Sequence, residues 1–279
     1  MSKVVVLGNT GMLGHMVQQV LSRQMGVEVQ GFGRETFNLK PANLNSIGTR
    51  LSSQLGFQTD WVINCLGATK PMFNVSDISI PLYVNAIFPH QLTTWASLLP
   101  NQPRVIHITT DCVYDGKIGK YDESAPHTAQ DQYGKSKSLG EPDNCMVLRT
   151  SIIGPEKNRS RHLLSWIKKQ AGKEARGYTN HWWNGVTTLE FAHILANIIC
   201  GDLFEQGSFH IFSSDVTKHE IVWNINKVYN LDIDLKAFET ETVVDRRLRT
   251  TKELNGLVNP HSFGEMIKEL KEYEEVENG

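Results

Sequence analysis

Residues 3–16 read KVVVLGNTGMLGHM, in which a β-branched strand pattern runs into glycines at positions 8, 11 and 14 and then into an apolar helix pattern. The first glycine lets the chain turn sharply, the second lets the backbone approach a ligand, and the third lets the helix pack on the strand. The helix directs unpaired N–H groups and the positive end of its dipole at this turn, which favours a phosphate. The stretch predicts a dinucleotide-binding turn with candidate contacts at Gly8, Thr10, Gly11, Met12, Leu13 and Gly14.

The composition is that of one large or two small domains without a strong charge bias. The chain has 279 residues, of which 40% are hydrophobic and 21% charged, and its formal net charge is −2. We expect no nucleic-acid or membrane partner, because such partners favour a strongly basic face. The four cysteines are far apart and form no CxxC pair, which indicates reduced thiols. With neither a leader nor a bilayer-spanning apolar run, we expect a cytoplasmic protein.

Strand-like and helix-like segments alternate through the first half of the chain. The predicted strands are Val4–Leu7, Val27–Phe32, Trp61–Cys65, Val105–Thr109 and Cys145–Arg149. The predicted helices are Met12–Met25, Ala42–Leu55, Pro81–Ala96 and Gln132–Glu141. Several strands are apolar nearly throughout, as in a parallel sheet buried on both faces. The alternation predicts an α/β fold with a Rossmann-type doubly wound parallel sheet, whose ligands bind at the carboxyl ends of the strands.

The regular alternation of strand-like and helix-like segments ends after residue 150, which predicts that the chain folds into two parts. Residues 1–150 are expected to form the dinucleotide-binding domain, to which residues 186–205 return. A smaller C-terminal substrate-binding lobe is expected from residues 151–185 and 206–279. The candidate elements beyond residue 150 include a helix over Thr188–Ile199 and a segment of the second lobe over Gly207–Phe212. A cleft between the two parts is the natural place for a substrate.

The residue after the second predicted strand distinguishes the two nicotinamide dinucleotides. An acidic residue there holds the ribose hydroxyls of NAD, whereas an arginine accommodates the 2′-phosphate of NADP. The strand ends in GFGR over residues 31–34, so we expect NADP(H), with Arg34 at the phosphate. The alternative is that Arg34 is simply a solvated arginine after a turn. Glu35 follows it directly and could hold the ribose hydroxyls of NAD(H), so NAD(H) is the alternative cofactor.

Tyr133 and Lys137 lie four residues apart in a segment with a helical pattern, and on a helix they share a face. A tyrosine, with an ordinary pKa of about 10, is too weak an acid to serve well at neutral pH. A neighbouring ammonium lowers that pKa by stabilising the phenolate, so we predict that Lys137 tunes Tyr133 as a proton donor. Such pairs also arise by chance on exposed helices, but this is the one YxxxK in the chain.

Residues 105–116 read VIHITTDCVYDG, a strand pattern that ends in hydroxyls and an acid. A hydroxyl at the carboxyl end of the strand can hydrogen-bond the substrate oxygen that Tyr133 protonates. We choose Thr110 over Thr109, because alternation along a strand points one of them away. The alternative is that both threonines simply suit a β-strand.

Six stretches in the first 155 residues together resemble the extended short-chain dehydrogenase/reductase superfamily, and within it the dTDP-4-dehydrorhamnose reductase group. They are GNTGMLG (8–14), NCLGA (64–68), VNAIFP (84–89), HITTDCVYDG (107–116), YGKSK (133–137) and LRTSIIGP (148–155). Beyond them the resemblance is weaker, although DRRL (245–248) is similar to the family's late substrate-side segment.

The resemblance implies a catalytic trio of Thr110, Tyr133 and Lys137 that requires no metal. It implies that Asn85 lies beneath the site and supports Lys137 through water. The implied cofactor contacts outside the glycine turn are Arg34, Asn38, Leu39, Cys65, Leu66, Gly67, Asn85, Tyr133 and Lys137. Cys112 departs from the family pattern, in which a tyrosine is usual, and this bears on the sugar preference.

A sugar nucleotide offers a diphosphate, a base and a sugar ring, which call for arginines, stacking aromatics and small polar groups. Arg246 and Arg247, with Arg249, are candidates for the diphosphate; the alternative is a solvated charge run. Trp182 and Trp183 are candidates for the sugar or base, although tryptophans are as often core or interface residues. The remaining substrate candidates are Lys70, Thr110, Asp111 and Cys112.

The resemblance implies an NADPH-dependent reductase of a 4-keto-6-deoxy sugar nucleotide that supplies a deoxysugar for polysaccharide assembly. One alternative is a nucleotide-sugar epimerase or dehydratase with tightly held NAD, although dehydratases have Asp-Glu after the threonine and this chain has Asp111-Cys112. The other is a non-catalytic regulatory subunit of the same fold. The expected partner is the sugar-nucleotide substrate, and a homodimer is left open.

Overall fold

The structure is a computed structural model that describes residues 1–33, 52–53, 58–157 and 162–278. Its strands are β1 (Ser2–Leu7), β2 (Val27–Phe32), β3 (Trp61–Asn64), β4 (Arg104–Thr110), β5 (Met146–Thr150), β6 (Ile152–Ile153), β7 (Glu174–Tyr178), β8 (His181–Trp183), β9 (Val186–Thr187), β10 (Gly207–His210), β11 (Val216–Thr217), β12 (Asp234–Phe238) and β13 (Val244–Asp245). Its α-helices are α1 (Met12–Ser22), α2 (Ser79–Leu82), α3 (Phe88–Leu98), α4 (Gln132–Leu139), α5 (Leu163–Lys168), α6 (Thr188–Cys200), α7 (Lys218–Tyr229), α8 (Leu254–Val258) and α9 (Phe263–Asn278). A π-helical segment, Tyr83–Ile87, joins α2 to α3, and 3₁₀ turns occupy Lys70–Phe73 and Asp111–Val113.

A parallel sheet of six strands runs through the described part of the chain in the order β2-β1-β3-β4-β5-β10. The strand order reverses beside β1, which pairs with β2 on one side and with β3 on the other. In open α/β sheets, ligands bind in the crevice that such a reversal opens outside the carboxyl ends of the strands. The Rossmann-type parallel sheet that the sequence predicts is confirmed.

Both faces of this sheet are buried, because apolar side chains alternate between them. Val5 and Leu7 of β1 belong to one buried cluster, together with Phe88 of α3. Val4 and Val6 belong to a second cluster, on the other face, together with side chains of α1 and α6. Helices cover a parallel sheet in this way because the crossover connections lie on its faces. The valine run near residue 5 is therefore suited to a strand buried on both sides.

The predicted elements of the first half agree with the structure at most of their bounds. The five predicted strands are present, each within two residues of its predicted ends. The first helix ends at Ser22, three residues earlier than predicted, and Gly26, with a φ of +79°, then turns the chain into β2. The predicted helix Ala42–Leu55 lies almost entirely outside the described residues.

Strand β10 corrects the expectation that placed Gly207–Phe212 in the second lobe. It pairs in parallel with β5, from Gly207 beside Met146 to His210 beside Arg149, and forms one edge of the central sheet. The helix α6 explains this position, because a crossover helix delivers the following strand to the same sheet. The sequence GSFH of β10 is too polar to indicate a buried parallel strand by itself.

The described residues of the second lobe include two small sheets and the helices α7 and α9, and β6 pairs with β9 beside them. One sheet has the order β11-β8-β13, and the other pairs β12 with β7. Ile221 of α7 and Met266 of α9 join the same buried cluster as Val6 of β1 and Ile106 of β4. The lobe is therefore continuous with the core of the sheet. Among the described residues, none of the helices is both long enough and apolar enough to cross a membrane.

A buried ion pair links the residues after α4 to the sheet. The Arg149 guanidinium of β5 donates to both carboxylate oxygens of Glu141 at 2.6 to 3.1 Å, and each side chain is 6% exposed. Arg149 also donates to the Tyr114 hydroxyl at 3.1 Å and lies 3.3 Å from Nε2 of His210. Burial of these charges is tolerated because each is paired and hydrogen-bonded. The cluster holds α4, β5 and β10 together.

Candidate active site

The turn between β1 and α1 has glycines at the points where a side chain would collide. Gly8 has a φ of +87°, and a Cβ there would lie 3.1 Å from the backbone of Cys65 and Leu66. A Cβ on Gly14 would lie 2.2 Å from the Gly8 carbonyl oxygen. Gly11 caps α1, and its N–H donates to the Gly8 carbonyl at 2.9 Å. The glycine spacing therefore allows α1 to begin directly against the end of β1.

A cleft of about 760 Å³ opens at the carboxyl ends of the central strands. The predicted site residues that line it are Thr10, Gly11, Met12, Leu13, Cys65, Leu66, Gly67, Thr110, Asp111, Cys112, Tyr133 and Lys137. The fold thus brings together the glycine turn, the loop after β3, the end of β4 and the helix α4. Gly8 and Gly14 are not part of this lining, but the turn beneath it depends on their lack of a side chain.

The polar groups of the cleft fit an elongated ligand that carries a diphosphate. The N-terminus of α1 opens into the cleft, and its first turn has no acidic side chain. Asn9 Oδ1 and Thr109 Oγ1 belong to cleft-lining residues and are buried without a hydrogen-bond partner among the residues that the structure describes. Ribose hydroxyls and phosphates of a dinucleotide would supply partners for such groups. The predicted contacts Arg34, Asn38 and Leu39 lie outside the described residues.

Tyr133 lies in the first turn of α4 and lines the cleft. Asp131 caps this helix by accepting a hydrogen bond from the Gly134 N–H at 2.7 Å. Phe73 meets the Tyr133 ring edge-on, with 6.3 Å between centroids, and the Lys70 ammonium lies 5.8 Å from the Tyr133 centroid. An ion pair of 2.7 Å with Asp131 holds Lys70 in this position. The structure therefore places the predicted substrate residue Lys70 beside Tyr133.

Lys137 lies one helical turn beyond Tyr133 and is 4% exposed. Its ammonium donates to the Ile108 carbonyl of β4 at 3.0 Å, and burial lowers its pKa to about 8. Burial raises the pKa of the Tyr133 phenol, Cys112 adds to the rise, and hydrogen bonding with Thr110 opposes it. The expected lowering of the Tyr133 pKa by Lys137 is therefore wrong for this structure, because desolvation of the phenol dominates.

Both threonines at the end of β4 contribute to the lining of the cleft. They are consecutive residues of the strand, and each is paired with β5. The Thr110 hydroxyl donates to Asp111 Oδ1 and accepts from the Cys112 N–H, each at 3.1 Å. Thr110 is close enough to Tyr133 to lower the pKa of that phenol. Thr110 is thus the hydroxyl that acts on Tyr133, whereas the Thr109 hydroxyl is buried.

Asn85 lies in the π-helical segment and joins two walls of the site. Its amide nitrogen donates to the Ala68 carbonyl at 2.9 Å and to the Ser136 hydroxyl at 3.0 Å, and its oxygen accepts from the Ala68 N–H at 2.8 Å. A Cβ on Gly140 would lie 1.7 Å from the Asn85 carbonyl oxygen, so the end of α4 packs tightly here. Asn85 therefore positions α4 by a direct hydrogen bond to Ser136, and the support of Lys137 through water stays a prediction.

Cys65 and Cys112 line the cleft as protonated thiols. Burial raises the pKa of each thiol to about 12. Lys137 lowers the pKa of Cys65 and Arg246 that of Cys112, but desolvation dominates at both positions. A thiol of this kind is a poor nucleophile and a poor proton-transfer group near neutral pH. The two cysteines therefore act as small apolar parts of the wall.

The three-stranded sheet of the second lobe sorts the substrate candidates onto two faces, because side chains alternate along a strand. The register places Trp182 between Thr217 and Asp245. One face carries Trp182, Thr217 and Asp245, and the other carries His181, Trp183, Val216 and Val244. Just beyond the strands, Arg247 lies over the Trp182 ring and Lys218 over the Trp183 ring.

The Arg247 guanidinium is engaged by acids of its own lobe. It forms ion pairs with Asp215 at 2.9 Å and with Asp245 at 2.5 Å, and it lies 4.4 Å from the Trp182 centroid. Arg249 joins the same group through Asp215 at 2.6 Å. The charges of both arginines are thus balanced within the protein. None of these side chains belongs to the cleft lining.

Trp183 and Arg246 are also outside the lining of the cleft. Trp183 is 5% exposed and meets Phe263 edge-on at 5.5 Å, so it belongs to the core. Arg246 donates from Nε to the Tyr114 carbonyl at 3.0 Å and from Nη2 to the Asp115 carbonyl at 3.3 Å. These two bonds fix the guanidinium beside the segment that follows β4.

Several residues around the site were not predicted from the sequence. Asp131 is one, although an aspartate before a helical pattern is a recognisable cap. Lys218 is another, and its signal was its place between Thr217 and Glu220, which form a capping box. A cation at the first position of a helix opposes the helix dipole, so a lysine there calls for an explanation. Ser151, Glu156 and His162, which line the cleft after β5, carried no such signal.

Residues 2–252 match the sequence model of the RmlD substrate binding domain family. The chain belongs to this family. Membership in the RmlD family agrees with the motifs of the first 155 residues and extends the similarity through most of the second lobe. Among curated proteins, none matches the chain at a significant level.

Solved structures similar to the chain include two dTDP-4-dehydrorhamnose reductases. The one from Clostridium acetobutylicum has 19% identity and a TM-score of 0.80, covering 98% of this chain and 99% of that chain. The one from Bacillus anthracis, in complex with NADP, has 18% identity and a TM-score of 0.81 with the same coverage. A dTDP-glucose 4,6-dehydratase from Bacillus anthracis in complex with NAD has 16% identity and a TM-score of 0.73, covering 100% and 98%. At these identities the similarity establishes a shared fold.

Proposed function

We propose that the protein is an NADP(H)-dependent reductase of a 4-keto-6-deoxy sugar nucleotide and serves deoxysugar and polysaccharide biosynthesis. One observation carries the proposal: Tyr133 and Lys137, one helical turn apart, line the same cleft as the glycine turn. A phenol, an ammonium and a dinucleotide-binding turn around one space are what a carbonyl reduction with a nicotinamide cofactor requires. Membership in the RmlD family supports the sugar-nucleotide class.

The glycine turn and the loop after β3 would hold the cofactor. The N–H groups at the start of α1 would receive the diphosphate, and Cys65, Leu66 and Gly67 would line the ribose and nicotinamide. When bound, the reduced nicotinamide supplies the hydride for the keto carbon. Arg34 supports a preference for NADP(H), since a guanidinium accommodates a 2′-phosphate, while NAD(H) stays the alternative.

Tyr133 holds the proton that the keto oxygen receives. Its raised pKa keeps the phenol protonated before reaction, as a general acid requires. Thr110, which lines the cleft with Tyr133, would orient the keto oxygen toward the phenol. The Lys137 ammonium, which lines the same cleft on the next turn, would donate a hydrogen bond to the ribose of the bound nicotinamide. Asn85 keeps α4 in place during this transfer through Ala68 and Ser136.

A nucleotide-sugar epimerase or dehydratase is the second candidate, because the dTDP-glucose 4,6-dehydratase has the same fold. A dehydratase needs an acid and a base beside the hydroxyl that it removes. Here Asp111 is followed by Cys112, whose thiol pKa of about 12 makes it unsuited to that role. The complete trio likewise favours an enzyme over a non-catalytic regulatory subunit. A homodimer is compatible with each of these functions.

The test is a panel of dTDP-, UDP-, GDP- and CDP-linked 4-keto-6-deoxy sugars with NADPH or NADH. We expect stoichiometric oxidation of NADPH with one or more of them and a reduced sugar nucleotide as product, identified by NMR. Purified protein that carries NAD and interconverts sugar nucleotides without net NADPH oxidation would establish the epimerase class instead. Absence of turnover on every substrate, together with a stable complex with a partner enzyme, would overturn the enzymatic proposal.

A further inference from the structure

His107 is a buried histidine in the middle of β4, a central strand of the parallel sheet. In the strand register it lies beside Asn64 of β3 and Val147 of β5, and both neighbours are fully buried. Nε2 of His107 has no hydrogen-bond partner among the residues that the structure describes. An apolar side chain would occupy this place at lower cost, because a buried polar atom without a partner is unfavourable. The imidazole therefore has a task other than packing.

Two consecutive hydrogen bonds connect His107 to the loop after β3. The Leu66 N–H donates to Asn64 Oδ1 at 3.2 Å, and this contact fixes the orientation of the Asn64 amide. Asn64 Nδ2 then lies 3.0 Å from His107 Nδ1. Because an amide nitrogen only donates, Nδ1 must accept, and the ring proton is on Nε2. The contact thus requires an uncharged imidazole.

The surroundings of His107 keep its ring uncharged. Burial holds the pKa of His107 well below its usual range, and the neighbouring Lys137 and His90 lower it further. Near neutral pH the Nδ1 lone pair is therefore available to the Asn64 amide.

The backbone held by Asn64 belongs to the wall of the cleft. Cys65 and Leu66 both line the cleft. A Cβ on Gly8 would lie 3.1 Å from the Leu66 backbone nitrogen, so the loop leaves β3 directly against the glycine turn. If this nitrogen moved, the loop after β3 and the glycine turn would change their spacing across the space between them.

We infer that His107 is a positioning residue for the dinucleotide: through Nδ1 and the Asn64 amide, it holds the Leu66 backbone against the glycine turn. That the ligand is a nicotinamide dinucleotide rests on the proposed function. Neither His107 nor Asn64 belongs to the lining of the cleft, so His107 acts on the ligand only through the loop that it holds.

The experiment measures the affinity of the full-length protein for NADPH and NADH, by fluorescence titration, in wild type, His107→Leu and His107→Asn. Leucine fills much of the space of the imidazole but offers Asn64 no acceptor. We expect it to weaken binding about three- to tenfold, the effect of losing one hydrogen bond. Asparagine is smaller but places its oxygen where Nδ1 was, so it should restore nearly wild-type affinity. Thermal melting should rank the two variants in the opposite order, because asparagine leaves a cavity.

Val147→Ala is the matched control, because Val147 lies on the other side of His107 in the register and has no polar side chain. It should lower the melting temperature and leave dinucleotide affinity unchanged. If affinity instead follows the melting temperature across all three variants, packing alone explains the effect and the positioning role is wrong.

NMR of wild type labelled with ¹⁵N in its histidines tests the same contact without any variant that must fold. The His107 signal, identified by its absence from His107→Asn, should show the Nε2–H tautomer at neutral pH. A proton on Nδ1 would overturn the inference.

The positioning role and the reductase can fail separately. Weaker NADPH binding in His107→Leu, without turnover of any keto sugar by wild type, keeps the positioning role and defeats the reductase. Turnover by wild type, with the same KM for NADPH in His107→Leu, does the opposite. Absence of dinucleotide binding by wild type overturns both.

Discussion

The Lys137 ammonium donates a hydrogen bond to the carbonyl oxygen of Ile108 at 3.0 Å, and this bond fastens α4 to the end of β4. Lys137 reaches that carbonyl from the interior, because it is 4% exposed. Tyr133 lies one turn earlier on the same helix and lines the same cleft. The contact therefore fixes the distance between the proposed proton donor and the strand that carries Thr110.

Tyr133→Phe should lose turnover and keep cofactor affinity. The substitution removes the proposed proton donor but leaves the ring packed against Phe73. We expect kcat to fall about 10²- to 10⁴-fold, the usual contribution of a positioned general acid. Steady-state kinetics and NADPH fluorescence titration measure the two quantities. Tyr178→Phe, at a tyrosine that is 40% exposed, is the control, and full turnover by Tyr133→Phe would refute the assignment.

Lys137 should make the stability of the cofactor-free protein depend on pH. Its pKa of about 8 in the folded protein lies below the ordinary 10.5, so between these values the unfolded chain binds more protons at this side chain. The free energy of unfolding of wild type, relative to Lys137→Met, should therefore increase from pH 8 to 10.5, by on the order of 3 kcal/mol. Urea denaturation across this range measures the difference. A difference that does not change with pH would contradict the burial of this ammonium.

Gly14→Ala should damage the dinucleotide turn. Its Cβ would lie 2.2 Å from the Gly8 carbonyl oxygen, so the first turn of α1 must shift. We expect a loss of about 1–3 kcal/mol in the free energy of unfolding and NADPH binding weakened at least tenfold, on the order of the loss of one charge-assisted contact. Gly256→Ala is the matched control, because a Cβ in that helix meets no atom within 4 Å. Similar effects of the two substitutions would show that the turn tolerates a side chain.

Glu141→Gln should destabilise the fold strongly. It would leave the buried Arg149 guanidinium without a counter-ion, which costs about 3–5 kcal/mol when the partners are inside the protein. Asp202→Asn is the comparison, because Asp202 pairs with Arg104 at the surface and its side chain is 74% exposed. Such an exposed pair contributes about 1 kcal/mol or less. Equal losses in urea denaturation would show that the Arg149 cluster is hydrated.

The sequence was sufficient where local chemistry decides the structure. The turn after β1 follows from glycine spacing, because Gly8 needs a positive φ and Gly14 has no room for a side chain. The shared face of Tyr133 and Lys137 follows from helical geometry alone. The strands were recognisable because a parallel strand buried on both faces must be apolar throughout.

The sequence was insufficient where distant segments decide the structure. Arg247 looked free for a ligand, but Asp215, which pairs with it, lies in another segment. The sequence predicts that Lys137 lowers the Tyr133 pKa, but in the structure the Lys137 ammonium donates to the Ile108 carbonyl. The largest effect on the Tyr133 pKa is burial of the phenol, which raises it. Asp131 was overlooked as a partner of Lys70, because the two residues are 61 positions apart in the chain. These relationships depend on tertiary contacts that no local pattern encodes.

The apolar cluster that includes Val6, Ile106, Ile221 and Met266 has a consequence for the evolution of this chain. Because the two lobes share one continuous hydrophobic core, replacing either lobe would expose apolar side chains of the other to solvent. New ligand specificities must then arise from point substitutions on the cleft walls and not from the exchange of whole domains. The same continuity predicts a single melting transition in calorimetry, shared by the two lobes.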